Sequence, residues 1–469
     1  MLEKLTVQRV LCFGGMLVSI LFVVAMYSRY TLDFPYADQW DFVPLLEKAF
    51  AGELSWRDFL AQHNEHRLVF PRLLMFVLAL VSDWDVRWEL AASFLFALFT
   101  WALLCVQASL SGKDIDAGSN EAVYLVFALL IFSMSQWGNW FLGWQVQEFM
   151  NVFATVLAVM GLTWRRAPGP GVYVAVASAV VATFSFANGL LLWPIGLLLL
   201  FLQRGQKGYR AKAFKRYLTV WCGVGGAVAI VYFAGYARPP HHAPLSSALA
   251  QPRAVFFYVL AYLGQPVGRL EDVAVILGEV IRGNPSRTPH LLSIMTGALG
   301  MLIWTVTSLQ LRLFGARRHA LLPWLGLALY AVGTALLTGL GRVDQGIEQA
   351  LSSRYVTMAN LLWFPIAAQM HWAGQTGVKS FIQYLLPVKT GLLCAALLGA
   401  SLAGAYRWSE RYHAYDALRG ELVSGDDAEI LRPLYPPDPQ VILERRPVLE
   451  QHGLSVFLAI EPPAEPEGD

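Results

Sequence analysis

The run VLCFGGMLVSILFVVAMY, Val10 to Tyr27, and the polar island after it, YADQWD (Tyr36 to Asp41) with HNEHR (His63 to Arg67), decide how the whole chain is read. The run is long and apolar enough to cross a bilayer as a helix. The island sets Asp38, Asp41, His63, Glu65, His66 and Arg67 beside lipid. Charged groups are costly there, so their presence points to chemistry.

Composition describes the surroundings. Hydrophobic residues make up 56% and charged residues 14%, against about 25% charged in a soluble domain. The chain therefore reads as an all-α polytopic membrane protein. Its net charge of +2, from 35 basic and 33 acidic residues, argues against nucleic acid or a strongly acidic partner. The cysteines (Cys12, Cys105, Cys222, Cys394) all sit in apolar runs without CxxC spacing. They read as buried small hydrophobes, so neither a disulfide framework nor a thiolate metal site is expected.

A basic start (Lys4, Arg9) and the lack of a small-x-small cleavage site make the first run an uncleaved helix with its amino end in the cytoplasm. Further apolar runs lie at Leu90 to Leu110, Ala122 to Met134, Phe149 to Trp164, Val172 to Ala187, Leu190 to Leu202, Tyr217 to Tyr236, Leu291 to Leu311, Ala320 to Leu340, Val356 to Met370 and Thr390 to Ala405. Three basic clusters fix sidedness: Arg165 with Arg166, Arg204 to Arg216, and Arg312 to Arg318. Placing all three in the cytoplasm sends loops 31–67, 135–148, 237–290 and 341–355 outside. It also demotes Leu68 to Ser82 to a re-entrant or interfacial helix, with Arg67 and Arg72 snorkelling to head groups. The expectation is about 11 transmembrane helices in a module over residues 1–405. A small outer tail follows at 406–469. It is proline-rich, with 13 acidic and 6 basic residues, a helix expected at Ile442 to His452 and a disordered end.

Near their centres the spans hold no Asp, Glu, Lys or Arg, and Gln107, Asn151 and Asn360 are the main polar intruders. That counts against an ion-coupled transporter and moves the candidate site to the outer interface. In the first outer cluster Asp38 or Asp41 can serve as general base, with Trp40 and Glu65 beside the substrate. His63 and His66, spaced i and i+3, are expected to share a helix face and bind phosphate or metal, or else merely to wet the loop. In GRVDQGIEQALSSRY (Gly341 to Tyr355), Arg342 and Arg354 suit phosphate capture or snorkelling. In QWGNWFLGWQVQE (Gln136 to Glu148), the tryptophans form an interfacial belt or stack on a sugar, Trp144 with Gln145 among the contacts, and Glu148 is the second candidate acid. The loop from Ala237 to His290, with an amphipathic stretch at Ala254 to Leu263, reads as a lid or a plain connection. Asn188 and Gly189 read as a structural turn.

The order of these features resembles the GT-C glycosyltransferases, in particular protein O-mannosyltransferases and the aminoarabinose transferase of lipid A. The likeness lies in one helix, an acid early in the first outer loop, a His-containing motif before a short apolar helix, and the step Trp84, Asp85, Arg87 into the next span. It covers roughly the first 150 residues, and QALSSRY is similar to a phrase in bacterial membrane proteins of surface-polysaccharide loci. The resemblance implies a bacterial inner-membrane enzyme that transfers a sugar from a polyprenyl-phosphate donor to a glycan, lipid or protein hydroxyl, with inversion. It implies Asp38 or Asp41 as the catalytic base that contacts or deprotonates the acceptor. His63, His66, Arg67, Arg342 and Arg354 would bind the donor phosphate, and Trp40, Glu65, Trp144, Gln145 and Glu148 the sugar or acceptor. The family's Asp-x-Glu stands here as Val146-Gln147-Glu148, so a divalent metal has one acid fewer and no cofactor is expected. Competing readings are a lipid-linked oligosaccharide flippase or transporter, an acyltransferase using His371, and a non-catalytic assembly subunit.

Overall fold

The computed structural model describes residues 7–164, 167–239, 244–282, 290–313, 315, 317–375 and 381–458, with side chains left out at 280–282 and 381–389. Arg165 with Arg166, residues 240–243 of the RPPHHAP opening, residues 283–289 and the acidic end from 459 lie outside the described residues. Helices occupy each apolar run named above. Among the described residues eight are long and apolar enough to cross a membrane, the make-up of an all-α multi-pass membrane protein. Val69–Ser82, Gly171–Thr183 and Ala187–Leu202 are shorter apolar helices. The 14 residues of Val69–Ser82 rise about 21 Å, less than a hydrocarbon core of about 30 Å.

The centre of the bundle is Val356–Gln375, buried on almost every face. A helix so enclosed needs partners for its polar groups. Asn360 donates to the Leu130 carbonyl at 3.0 Å, and Gln369 Oε1 accepts from Thr307 and Ser308 at 3.0 and 2.8 Å. Asn151 likewise donates to the Ala182 carbonyl and accepts from the Tyr330 hydroxyl. These polar residues of the spans are interhelical ties.

The stretch 237–290, expected as an outer loop, holds helices over much of its described length. Pro252–Gly268 is a helix buried among Leu291–Gln310, Arg318–Arg342 and Val356–Gln375. Glycine makes this possible: a Cβ on Gly264 would collide with the Ser293 carbonyl oxygen, and one on Gly297 with that of Leu260. Backbone-to-backbone approach of this kind is how small residues pack helices in lipid.

The tail is likewise more than an appendage. The helix Phe381–Asp416 continues into Arg419–Ser424, and Gln440–Gln451 packs against the first loop. Arg419 pairs with Asp33 at 2.6 Å, Ala37 N–H donates to the Leu434 carbonyl at 2.6 Å, and Phe50 stacks on His452 at 3.9 Å. At the other end of the bundle Arg318 reaches the Arg204 carbonyl, so two of the basic loops meet.

Gly264→Val should lower the thermal unfolding midpoint of the solubilised protein by several degrees, since overpacking costs about 1–3 kcal/mol. Gly14→Val, where a Cβ meets nothing within 4 Å, is the control. Equal midpoints would contradict the close approach.

Candidate functional site

The site is organised by a two-stranded hairpin, Gln62–His63 with His66–Arg67. A shared helix face for His63 and His66 is therefore corrected: the two are cross-strand partners about a turn at Asn64 and Glu65. Asn64 takes φ 49°, a left-handed conformation that asparagine tolerates.

Arg67 holds this hairpin down. Its Nε, Nη1 and Nη2 donate to the carbonyls of Tyr232, Leu60 and Ala234 at 2.6, 2.6 and 2.5 Å. Those carbonyls lie at helix ends, where the backbone has no internal acceptor role left. Arg67, expected on a donor phosphate, is thus occupied by backbone carbonyls here. Arg72 is buried too and donates to the carbonyls of Asp58, Phe59 and Ala61, so neither arginine snorkels.

On one side of the hairpin lies a cavity of about 320 Å³ that contains Glu65, His66, Glu148, Asn188, Arg342 and Tyr355 in its wall. Arg342, at the end of Arg318–Arg342, donates to Glu65 Oε1 and to the Tyr355 hydroxyl, both at 2.9 Å. His66 stacks on Phe186 at 4.0 Å, and its Nδ1 accepts the Ala187 N–H at 3.1 Å. With Nδ1 accepting, the neutral ring carries its proton on Nε2, which lies 3.6 Å from Glu65 Oε1. Glu148, in the first turn of Val146–Thr163, is 3% exposed, and its Oε2 has no hydrogen-bond partner among the described residues. Arg354 and Arg342 are the cations acting on it. Asn188 Oδ1 is buried and unpartnered too, while its Nδ2 donates to Thr334. Two buried acceptors without donors, in one cavity wall, call for a ligand that donates.

Asp38, Asp41 and His63 gather on the other side, each offering a ligand atom within 4.8 Å of the others. This oxygen, oxygen and nitrogen set is the one the described residues offer a borderline divalent cation such as zinc or manganese. The two carboxylates are not equivalent. Asp41 Oδ1 accepts from Arg445 at 2.8 Å and from the Tyr435 hydroxyl at 3.0 Å, whereas the Asp38 carboxylate has no hydrogen bond among the described residues. Burial, and then Asp41, push the Tyr435 phenol up, which keeps it a donor.

Trp40 and Trp144, expected to offer faces to a sugar, are 0% and 1% exposed. Trp144 packs edge-on to His63 at 4.9 Å instead, and Gln145 is buried with Gln147 as its partner. Arg354 is half-buried, and its turn is fixed by Asn139, which donates to the Arg354 carbonyl at 2.8 Å. His371 binds the Ser119 carbonyl, apart from both clusters.

A further residue, Glu89, fixes the loop that bears Asp38. Its buried carboxylate accepts from Gln39 at 2.9 Å and from the Trp84 indole at 3.0 Å. A Cβ at Gly143 would strike that carboxylate, so the glycine lets the 134–145 segment close over it. The sequence hint was an acid in the first turn of an apolar span.

Compared with protein-family models, curated proteins and solved structures, the chain matches none.

Burial lowers the pKa of His63, against the opposing pull of Asp38 and Asp41. A depressed folded value means that the unfolded chain binds the proton more readily, so stability is full above about pH 6.5 and falls as pH drops through the folded value. His63→Gln should flatten that acid-side loss. Parallel wild-type and variant midpoints from pH 7 to 5 would show that His63 is not the group responsible.

Proposed function

We propose that the chain is a membrane glycosyltransferase of GT-C type, which moves a sugar from a polyprenyl-phosphate donor to a hydroxyl-bearing acceptor at the outer face of the membrane. The observation that carries this reading is the cavity holding Arg342 on one wall and the unpartnered acceptors Glu148 Oε2 and Asn188 Oδ1 on another. Sugar hydroxyls are donors that satisfy such acceptors. A guanidinium suits the phosphate that leaves. Leu190, Phe233 and Leu337 belong to the same wall, and Phe233 and Leu337 are exposed on the side of their helices, so a lipid chain has an apolar way in.

In this reading Asp38 takes the proton from the acceptor hydroxyl as its oxygen attacks the anomeric carbon. The bond from that carbon to the phosphate oxygen breaks, and its electron pair stays with the lipid phosphate, whose charge Arg342 and Arg354 offset. One displacement inverts the anomeric centre. Asp41 is held by Arg445 and Tyr435 and serves to shape the loop.

Asp38→Asn should cut sugar transfer by about 10²–10⁴-fold with unfolding midpoint unchanged, and Asp41→Asn should act mainly on stability. Arg342→Ala, Arg354→Ala and Asn188→Ala should raise the KM for the lipid-linked donor more than that for the acceptor. Transfer of radiolabelled sugar from polyprenyl phosphate in proteoliposomes reads all five. Full activity in Asp38→Asn would remove the proposed base, and wild-type protein with no transfer would remove the reading.

A further inference from the structure

A second cavity, of about 570 Å³, opens on the far side of the segment that ends in Arg354. Its wall is mostly charged, and sorting the pairs shows what is left over. Arg269 is committed to Asp272 at 3.0 Å and to the Leu351 carbonyl. Arg407 is committed to Glu279 at 3.0 Å, with Glu410 at 3.5 Å. Glu271 accepts the Ser293 N–H at the start of Leu291–Gln310. Arg411 remains. Its guanidinium lies over the Trp137 ring at 4.9 Å and the Tyr415 ring at 5.9 Å, with no carboxylate partner among the described residues.

Arg411 is exposed, and a guanidinium laid on aromatic rings presents its planar edge of N–H donors, the arrangement that takes a carboxylate or phosphate ester in two parallel hydrogen bonds. Around it stand acceptors suited to hydroxyl donors, Glu410 and the largely exposed Glu348. His290 adds a buried Nδ1 without a partner. The combination is one spare cation among hydroxyl acceptors, in a space of saccharide size. We infer that this cavity binds a saccharide carrying an acidic group, a carboxylate or phosphate ester, held by Arg411.

The position gives the site a use. Trp137 is followed by Gly138, whose N–H donates to Ser353 Oγ at 3.3 Å, and by Asn139, which holds the Arg354 carbonyl. Leu351 faces this cavity while Tyr355 faces the other, so one stretch of chain divides the two. An acidic saccharide bound at Arg411 lies beside the turn that carries Arg354. Its role as acceptor rests on the transferase reading above; its binding does not.

Ligand-observed NMR on the full chain in nanodiscs tests this with digalacturonate, glucose 6-phosphate, cellobiose and inorganic phosphate as probes. At least one acidic sugar should bind, and cellobiose should bind more weakly. Arg411→Gln should weaken that binding by about tenfold or more, with Arg411→Lys between the two and the unfolding midpoints unchanged. Arg342→Gln, in the other cavity, should leave it unaltered. Carboxylate and phosphate sources are separated by which acidic sugar binds. Equal binding of cellobiose, phosphate as tight as the acidic sugars, indifference to Arg411→Gln, or no binding at about 10 mM would each overturn the inference. Arg411-dependent binding in a protein without transfer activity would leave this site standing and remove only the acceptor role.

Discussion

Three hydrogen bonds from one side chain set the site. Arg67 joins the end of the Trp56–Leu60 helix to the end of Ala211–Phe233 by taking a carbonyl from the first and two from the second. Carbonyls at helix ends left without donors in a low-dielectric setting cost several kcal/mol each, and an unpaired buried guanidinium costs more. Each therefore satisfies the other. The hairpin that carries Arg67 is fixed against the bundle as a result, with His63 towards the aspartates and Glu65 and His66 towards the cavity. The Tyr232 hydroxyl, which donates to the Glu65 carbonyl at 2.7 Å, closes the same junction from the other direction.

Seen against that economy of buried polar groups, Glu148 and Glu89 are opposites. Both are acids in the first turn of a long apolar helix, where the helix dipole favours negative charge. Glu89 is supplied with two donors and so is finished as a structural element. Glu148 has arginines nearby but an oxygen without a hydrogen bond. A buried acceptor left open beside a cavity is the signature of a group kept for a ligand, since a purely structural acid is easily satisfied or replaced.

The helices were legible because apolar runs in a chain this poor in charge have few other places to go, and the polar island was legible because charge beside lipid is expensive. What could not be read was tertiary. His63 and His66 at i and i+3 suit a helix face, yet the same spacing about Asn64 makes a tight hairpin, and the sequence does not choose between them. Asn188 looked like a turn residue because its neighbour is glycine; only the packing of Gly189 against the Ala182 carbonyl brings its amide into the cavity wall. Pro252–Gly268 fell within an expected outer loop because the basic clusters set its side of the membrane, and only its amphipathic stretch was legible, although glycines in register with Leu291–Gln310 bury it. Arg67 and Arg72 were legible as charges near lipid. That carbonyls of distant segments would claim them was not.

The tail bears on the chemistry in a way that its composition conceals. An acidic, proline-rich end suggests a solvated appendage, yet its cation Arg445 reaches into the first loop and binds both the Trp40 carbonyl and Asp41. Of two aspartates one helical turn apart, the tail engages one and leaves the other open beside His63. A carboxylate already accepting from an arginine and a phenol has fewer lone pairs left to meet a substrate hydroxyl than one without such donors. Asymmetry between chemically identical residues thus arises from a segment some 400 positions downstream in the chain, and it is on this asymmetry, rather than on the Asp-x-x-Asp spacing, that the proposed role of Asp38 rests.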